Sequence, residues 1–242
     1  MKVSLIIPAL NEEDSLPAVL AAVPRHAVNE IIVVDNGSSD GTATVARHAG
    51  ARVVVEARKG YGAACWTGFK AAEDADVLVF MDADGSFSPA EISKLTAPIM
   101  KGDADLVLGS RTLRAEDAQV IPLHARVGNR IVAGIIGLTS HVWTTDLGPF
   151  RAIRREALEQ LRMEERTYGW PSEMIIKASK LGCHVLEVPV SYSPRTGGKS
   201  KVSGTFLGSV RAAFSMLKVA ARWSLWTPEG KSSDKPLTPR SF

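Results

Sequence analysis

The sequence predicts a single α/β domain built on a mostly parallel sheet with helices on both faces. Three observations carry this expectation. Short β-rich runs (Val3 to Ile7, Ile31 to Val34, Val53 to Val55, Val77 to Met81, Leu106 to Leu108) alternate with helical patterns, the rhythm of strands joined by crossover helices. The chain has 242 residues, of which 45% are hydrophobic and 23% charged, enough to bury one large core. Polar and glycine-bearing segments follow several of the runs, on the edge where an open α/β sheet holds its ligands.

The first run closes in Pro8-Ala9-Leu10-Asn11-Glu12-Glu13, which puts amide and carboxylate acceptors at the strand end. The second closes in Val34-Asp35-Asn36-Gly37-Ser38-Ser39-Asp40-Gly41, where Asp35 leaves the strand and Asp40 is placed to cap the next helix. The segment Arg58-Lys59-Gly60-Tyr61-Gly62 offers cations and flexible glycines where a helix amino terminus faces phosphate.

The fourth run is the most informative. Asp-Ala-Asp occurs three times, at 74–76, 82–84 and 103–105. The first and third copies lead into apolar runs and are solvated turns at the amino-terminal ends of strands. Asp82 and Asp84 alone follow a strand. Two hard oxygen donors there suit Mg²⁺ or Mn²⁺ together with a diphosphate. In Ser88-Pro89-Ala90-Glu91, Ser88 caps a helix, Pro89 opens its first turn and Glu91 completes a capping box.

Beyond about residue 115 the rhythm changes. A helix is predicted from Ala125 to Leu138, a turn around Asp146-Leu147-Gly148-Pro149, a helix from Pro171 to Leu181 and a strand from His184 to Val190. Asp146 is either a turn-closing acid or a group that meets sugar hydroxyls or the acceptor side. In 206–226, Leu207, Val210, Phe214, Leu217 and Ala221 oppose Arg211, Ser215, Lys218 and Arg222, which makes a cationic amphipathic helix. With Trp223 and Trp226 at its end, it either lies in a bilayer interface or docks on the protein's own core with its cations solvated. Residues 227–242 read as a mobile tail rich in Pro, Ser and Lys.

Composition narrows the partners. Net charge +3 and a pI near 8.9 suit an anionic ligand but lack the dense basic stripe of a nucleic-acid binder. Cys65 and Cys183 read as buried, reduced thiols, which fits the cytosol. The apolar start is too short for an export signal, and the longest apolar run, Ile131 to Leu138, is far below the roughly 20 residues of a membrane span. The five histidines lack metal-ligand spacing and take no catalytic role.

Taken in order, Ile6-Ile7-Pro8-Ala9-Leu10-Asn11-Glu12, Val34-Asp35-Asn36-Gly37-Ser38-Ser39-Asp40-Gly41-Thr42 and Asp82-Ala83-Asp84 resemble glycosyltransferase family 2, the inverting sugar transferases of the GT-A fold. A narrower resemblance is to the dolichyl- or polyprenyl-phosphate sugar synthases. It rests on Gly109-Ser110-Arg111, Asp146 to Arg151, Val188-Pro189-Val190 and the run from Arg195-Thr196-Gly197-Gly198-Lys199-Ser200-Lys201 to Thr205.

The resemblance covers about residues 3 to 206. It implies that Pro8, Glu12 and Asp35, with Asn11 beside them, hold the nucleoside of a nucleotide diphosphate sugar, and that Asp82 and Asp84 hold the metal and diphosphate. Arg111, Arg195, Ser200 and Lys201 would meet phosphates, with Lys59 and Gly60 at the diphosphate edge. Residues 1–115 would then form a nucleotide-sugar half, 116–204 an acceptor half and 205–226 a terminal helix of one catalytic domain.

Two departures stand out. Ser86 takes the place where dolichyl-phosphate mannose synthases commonly carry a Gln metal ligand, so an extra water is expected there. Arg126, Asn129 and Arg130 stand where an Arg and a small hydroxyl residue usually meet the acceptor phosphate, and the sequence does not choose among them. The expected catalytic set is Asp84, Asp146, Arg195 and Lys201.

The chemistry agrees with a phosphate acceptor. No general base is evident, and a phosphate monoester with a second pKa near about 6 needs none. Arg111, Arg126, Arg195, Lys199 and Lys201 supply the positive charge required to bring two anions together. The reading is a hexosyl transfer from UDP-glucose or GDP-mannose to polyprenyl phosphate by a cytoplasmic protein that visits the inner membrane face. The alternatives are a family 2 enzyme with a soluble acceptor, a sugar-1-phosphate nucleotidyltransferase, whose usual Gly-rich opening loop is lacking, and a non-catalytic nucleotide-binding module.

Overall fold

Among the described residues, seven strands form one sheet: β1 (Val3–Ala9), β2 (Glu30–Asp35), β3 (Arg52–Val55), β4 (Val77–Phe80), β5 (Leu106–Ser110), β6 (Arg151–Arg154) and β7 (Val185–Pro189). The computed structural model describes residues 1–140, 142–195, 217–219, 221–223 and 225–227. The strand order is β3-β2-β1-β4-β6-β5-β7. β1 pairs in parallel with β2 and β4, β2 with β3, and β5 with β7, whereas β6 runs antiparallel between β4 and β5.

The predicted strands are apolar without alternation because both faces of the sheet are covered. On one face Ile6, Ile32, Val34, Leu78 and Phe80 pack beneath α3 (Tyr61–Ala71), α6 (Leu123–Ser140), α7 (Arg155–Leu161) and α8 (Trp170–Leu181). On the other, Leu5, Ile7, Ile31, Val33, Val77 and Val79 meet α1 (Leu16–Ala21), α2 (Thr42–His48) and α4 (Ile92–Lys101). The short α5 (Ala115–Val120) leads into α6. Cys65 and Cys183 are free and buried, as expected.

Three local expectations change. Ser88 makes no side-chain cap, and Glu91 does not complete a capping box. Its carboxylate instead accepts from the Ser191 N–H at 2.7 Å and pairs with Lys94, so Pro89–Glu91 forms a 3₁₀ turn bridged to the far end of the chain. Asp40 caps α2 from one position earlier than expected: Gly41 is the N-cap, and Asp40 accepts from the Thr42 N–H at 3.0 Å and its hydroxyl at 2.5 Å. β6 was absent from the sequence reading, since Arg-Ala-Ile-Arg shows no strand pattern even though Ala152 and Ile153 are fully buried.

The end of the amphipathic segment faces inward. Residues 206–216 lie outside the described residues, but Val219 and Trp223 are buried, and Lys177 lies 3.8 Å from the Trp223 ring centroid and 5.1 Å from that of Trp226. Lys177 and Glu173, both with fully buried side chains, pair at 2.7 Å. Glu173 also accepts the N–H groups of Glu164 and Glu165, and Lys177 donates to the Arg162 carbonyl. Of the two readings for this segment, the described residues show its end docked on the protein: the Trp223 and Trp226 rings cover a buried ion pair.

Removing one partner of such a pair strands the other charge. Lys177→Ala is expected to lower unfolding free energy by about 3–5 kcal/mol in urea denaturation. A loss below about 1 kcal/mol, the range of an exposed pair, would contradict this description.

Candidate active site

The carboxyl edge of the sheet opens into a cleft of about 1440 Å³. Its polar end is walled by Pro8, Glu12, Asn36, Lys59, Gly60, Asp82, Asp84, Arg111 and Arg195. The stretch from the end of α5 into α6 also lines the cleft, with Val120, Ile121, Leu123, Val127, Ile131 and Val132 apolar and His124 and Asn129 polar.

β4 delivers the two acids. Burial, then the neighbouring Asp84 charge, pushes the Asp82 carboxyl up to about 7, while Arg111 and Arg195 act in the opposite direction. Asp84 is held from both sides: one oxygen accepts from the Ser86 N–H and hydroxyl at 2.9 and 2.5 Å, and the other meets Arg195 at 2.8 Å. Ser86 thus orients Asp84 directly. Arg195 also reaches Glu12 at 3.5 Å. Its segment is fixed by the Phe87 to Tyr192 bridge and by the Ser193 N–H on the Ser86 carbonyl at 2.9 Å.

Arg111 is oriented by Asp146. The guanidinium donates to both carboxylate oxygens at 2.7 and 2.8 Å, the Arg111 N–H adds a bond at 2.9 Å, and the cation lies 5.0 Å from the Tyr192 ring centroid. Asp146 is 1% exposed. Burial opposes its charge, yet the Arg111 guanidinium and the backbone N–H groups hold its carboxyl below the ordinary value. Asp146 lies behind Arg111 and off the cleft wall.

Asn11 and Asp35 also lie off the wall. Asn11, at φ 51°, is exposed and accepts the Ser39 N–H at 2.8 Å, while Asp35 accepts the Ser38 N–H at 2.9 Å. Both shape the turn after β2. Arg126 stands beside the wall, and Asn129 is on it with its amide accepting the Leu147 N–H at 3.1 Å. Ser200 and Lys201, with Lys199, lie outside the described residues.

Two contributors escaped the sequence reading. Asn36 donates to the Glu56 and Arg58 carbonyls and accepts the Gly60 N–H at 2.8 Å, fixing the loop that carries Lys59. Gly60 has φ 146°, and a Cβ there would run into the Arg166 carbonyl, so the close approach requires glycine. Arg151 is buried, donating to the carbonyl of Pro171, which lines the cleft, at 3.1 Å and to that of Gly148. A buried Arg in a four-residue strand has no periodic signature. The Asn–Gly turn after Asp35 is the sequence signal for Asn36.

The donor set fits a hard divalent ion. Among the described residues no cluster of three or more His, Cys, Asp or Glu side chains forms a closed cage. Two carboxylates with positions left for phosphate oxygens and water is the arrangement Mg²⁺ favours. The Arg195 guanidinium, seated against Asp84 and Glu12, marks where positive charge is required.

Fold and cleft together define a GT-A-type nucleotide-binding protein, and comparison with known proteins narrows the class. The model for "Glycosyl transferase family 2" matches residues 4–162. An uncharacterized glycosyltransferase of Mycobacterium tuberculosis (strain ATCC 25618 / H37Rv) is 46% identical over 217 residues, 90% of this chain and 97% of that protein. The undecaprenyl-phosphate mannosyltransferase of Micrococcus luteus is 32% identical over 237 residues, 92% of this chain and 96% of that one. A crystal structure of M. tuberculosis glucosyl-3-phosphoglycerate synthase, in complex with Mn²⁺, UDP and glucosyl-3-phosphoglycerate, superposes with a TM-score of 0.74 at 25% identity, covering 92% of this chain and 80% of that one. The chain belongs to glycosyltransferase family 2.

The Arg111–Asp146 pair has a pH signature. A depressed folded-state pKa gives stability that is present above the ordinary Asp value of 3.8 and is lost as pH falls through the lower folded value. Asp146→Asn should be less stable than wild type at neutral pH, and the gap should narrow in acid below about pH 4. A gap independent of pH would contradict a charged Asp146.

Proposed function

We propose that this enzyme transfers a hexosyl unit from a nucleotide diphosphate sugar, UDP-glucose or GDP-mannose, to polyprenyl phosphate with inversion at the anomeric carbon. The single observation that carries the reading is the mixed lining of one cleft: the carboxylates and arginines share it with a largely apolar stretch, Val120, Ile121, Leu123, Val127, Ile131 and Val132. A phosphate with a hydrocarbon tail matches both kinds of lining. The mannosyltransferase relative from M. luteus supports the same acceptor class. No helix among the described residues is long and apolar enough to cross a membrane. In this reading the lipid acceptor is met at the cytoplasmic membrane surface by a peripheral protein.

In this reading Pro8 and Glu12 border the nucleoside, and Asn11 and Asp35 act indirectly through the turn at 36–39. Asp82 and Asp84 would hold a divalent metal, which would supply charge neutralisation at the diphosphate. Lys59 and the Gly60 loop face the diphosphate. Arg111, braced by Asp146, and Arg195 hold phosphate oxygens, with Lys201 and Ser200 assigned to the same task by the resemblance alone. Arg126 flanks the acceptor approach.

An acceptor phosphate oxygen attacks the anomeric carbon as the bond to the diphosphate oxygen breaks, and the electron pair leaves with the nucleotide diphosphate. The acceptor is already ionised near neutral pH, its second pKa being about 6, so no protein base is required. Arg111 and Arg195 offset repulsion between two anions that approach only in the reaction.

Transfer of radiolabelled sugar from UDP-glucose and GDP-mannose into an organic-extractable product tests this, using short polyprenyl phosphate with Mg²⁺ or Mn²⁺. Lipid-phase label from one donor, abolished by Asp84→Ala and by chelation, is the expected result. Arg195→Ala should reduce turnover on the order of tenfold to thousandfold, the range for a charged contact that strengthens in the transition state. Label appearing only in a water-soluble acceptor would instead favour an acceptor like that of the phosphoglycerate synthase. Wild-type turnover in Arg195→Ala would remove Arg195 from the machinery.

A further inference from the structure

An exposed apolar stripe runs along α6. Leu123, Val127, Ile131 and Leu138 are 71%, 50%, 53% and 70% exposed, while Val132, Ala133, Ile136 and Ser140 bury the opposite side. With Gly134 they are spaced 4, 4, 3 and 4 residues apart, which keeps them on one side of a helix roughly 27 Å long. The stripe does not stop at the cleft. Leu123, Val127 and Ile131 form its outer wall, and Leu138 continues beyond it.

Two further features make this an organised face. Trp143 is 68% exposed, yet its ring lies so close to α6 that a Cβ on Gly137 would come within 2.6 Å of it. The indole is thus set against the helix with most of its surface toward solvent, and Trp is the residue type that seats at a membrane–water boundary. The charge has one sign. α6 contains Arg126 and Arg130 and no Asp or Glu, and Arg130 is exposed one turn from Val127 and Gly134.

We infer that the outward stripe of α6, from Leu123 to Leu138 with Trp143, is the surface by which this protein seats on an anionic phospholipid bilayer, with the open side of the cleft turned toward the lipid. An apolar stripe bordered by arginines and an interfacial Trp matches headgroup phosphates above and acyl chains below. A second copy of the chain would gain from the apolar stripe but would bring Arg130 against Arg130 in a two-fold contact. The inference rests on the lipid-phosphate reading for its purpose and specifies which face meets the membrane.

Vesicle flotation of the full chain tests it, using phosphatidylcholine with and without phosphatidylglycerol. Leu138 and Trp143 lie outside the cleft wall, so a Leu138→Asp/Trp143→Ser double variant tests the stripe without altering that wall. Wild type is expected to float with the anionic vesicles, more weakly as salt rises. The double variant should partition roughly tenfold more weakly or worse, and Arg130→Glu should lose binding chiefly at low salt. The double variant should keep the wild-type melting temperature and wild-type turnover on a water-soluble short-chain prenyl phosphate, and Arg130→Glu is read by its salt-dependent flotation alone.

Unchanged partitioning in both variants would overturn the inference, as would a wild-type dimer that the double variant dissociates while vesicles bind neither form. The two readings fail separately. Flotation that depends on the stripe, with no prenyl-phosphate product from any donor, would uphold the face and sink the acceptor. Prenyl-phosphate turnover with flotation indifferent to the stripe would do the reverse.

Discussion

Two carboxylates one residue apart, at the end of a strand covered on both faces, repel each other unless positive charge stands beside them. Burial first, and the Asp84 charge second, raise the Asp82 pKa, while Arg111 and Arg195 act against both. Much of the polar end of the cleft answers this constraint. Ser86 turns Asp84, Arg195 meets Asp84 and Glu12, and Arg111 faces the same turn from β5.

Each cation then needs its own support. Arg111 depends on Asp146 behind it, and the Arg195 segment hangs on the Phe87–Tyr192 bridge. The opposite edge is braced from farther away. The Lys177–Glu173 pair holds residues 162–165, and the carbonyls of Arg166 and Thr167 accept the N–H groups of Ala63 and Gly62. A buried ion pair beneath two tryptophans near the end of the described chain is thereby tied to the glycine turn beside Lys59. Side-chain packing far from the cleft sets the position of the backbone that would face phosphate.

The sheet was legible because strands buried on both faces appear as unbroken apolar runs, and five runs in rhythm allow few other folds. The acidic pair was legible because position separates Asp82 and Asp84 from two identical triplets. β6 was not, since four residues bounded by arginines carry no period. Asp146 was located in its turn but not oriented, because sequence cannot show that both its oxygens go to Arg111. The same limit explains Trp223 and Trp226. Amphipathic spacing reveals an apolar face without saying whether bilayer or protein covers it, and Lys177 sits one helix away in space but more than forty residues away in sequence. α6 inverts that case: its span was predicted, while its outward apolar stripe becomes visible only once Val132 and Ile136 are seen facing the core.

Metal-dependent nucleotide capture at Asp82 and Asp84 is the claim on which the account turns. Electron paramagnetic resonance of Mn²⁺ titrated into the protein with UDP or GDP tests it without requiring turnover or knowledge of the acceptor. Bound Mn²⁺ that appears with one nucleotide in wild type and disappears in Asp84→Ala is the predicted result. Equal Mn²⁺ binding in Asp84→Ala, or nucleotide binding by wild type that is as tight in EDTA as in Mn²⁺, would contradict the account.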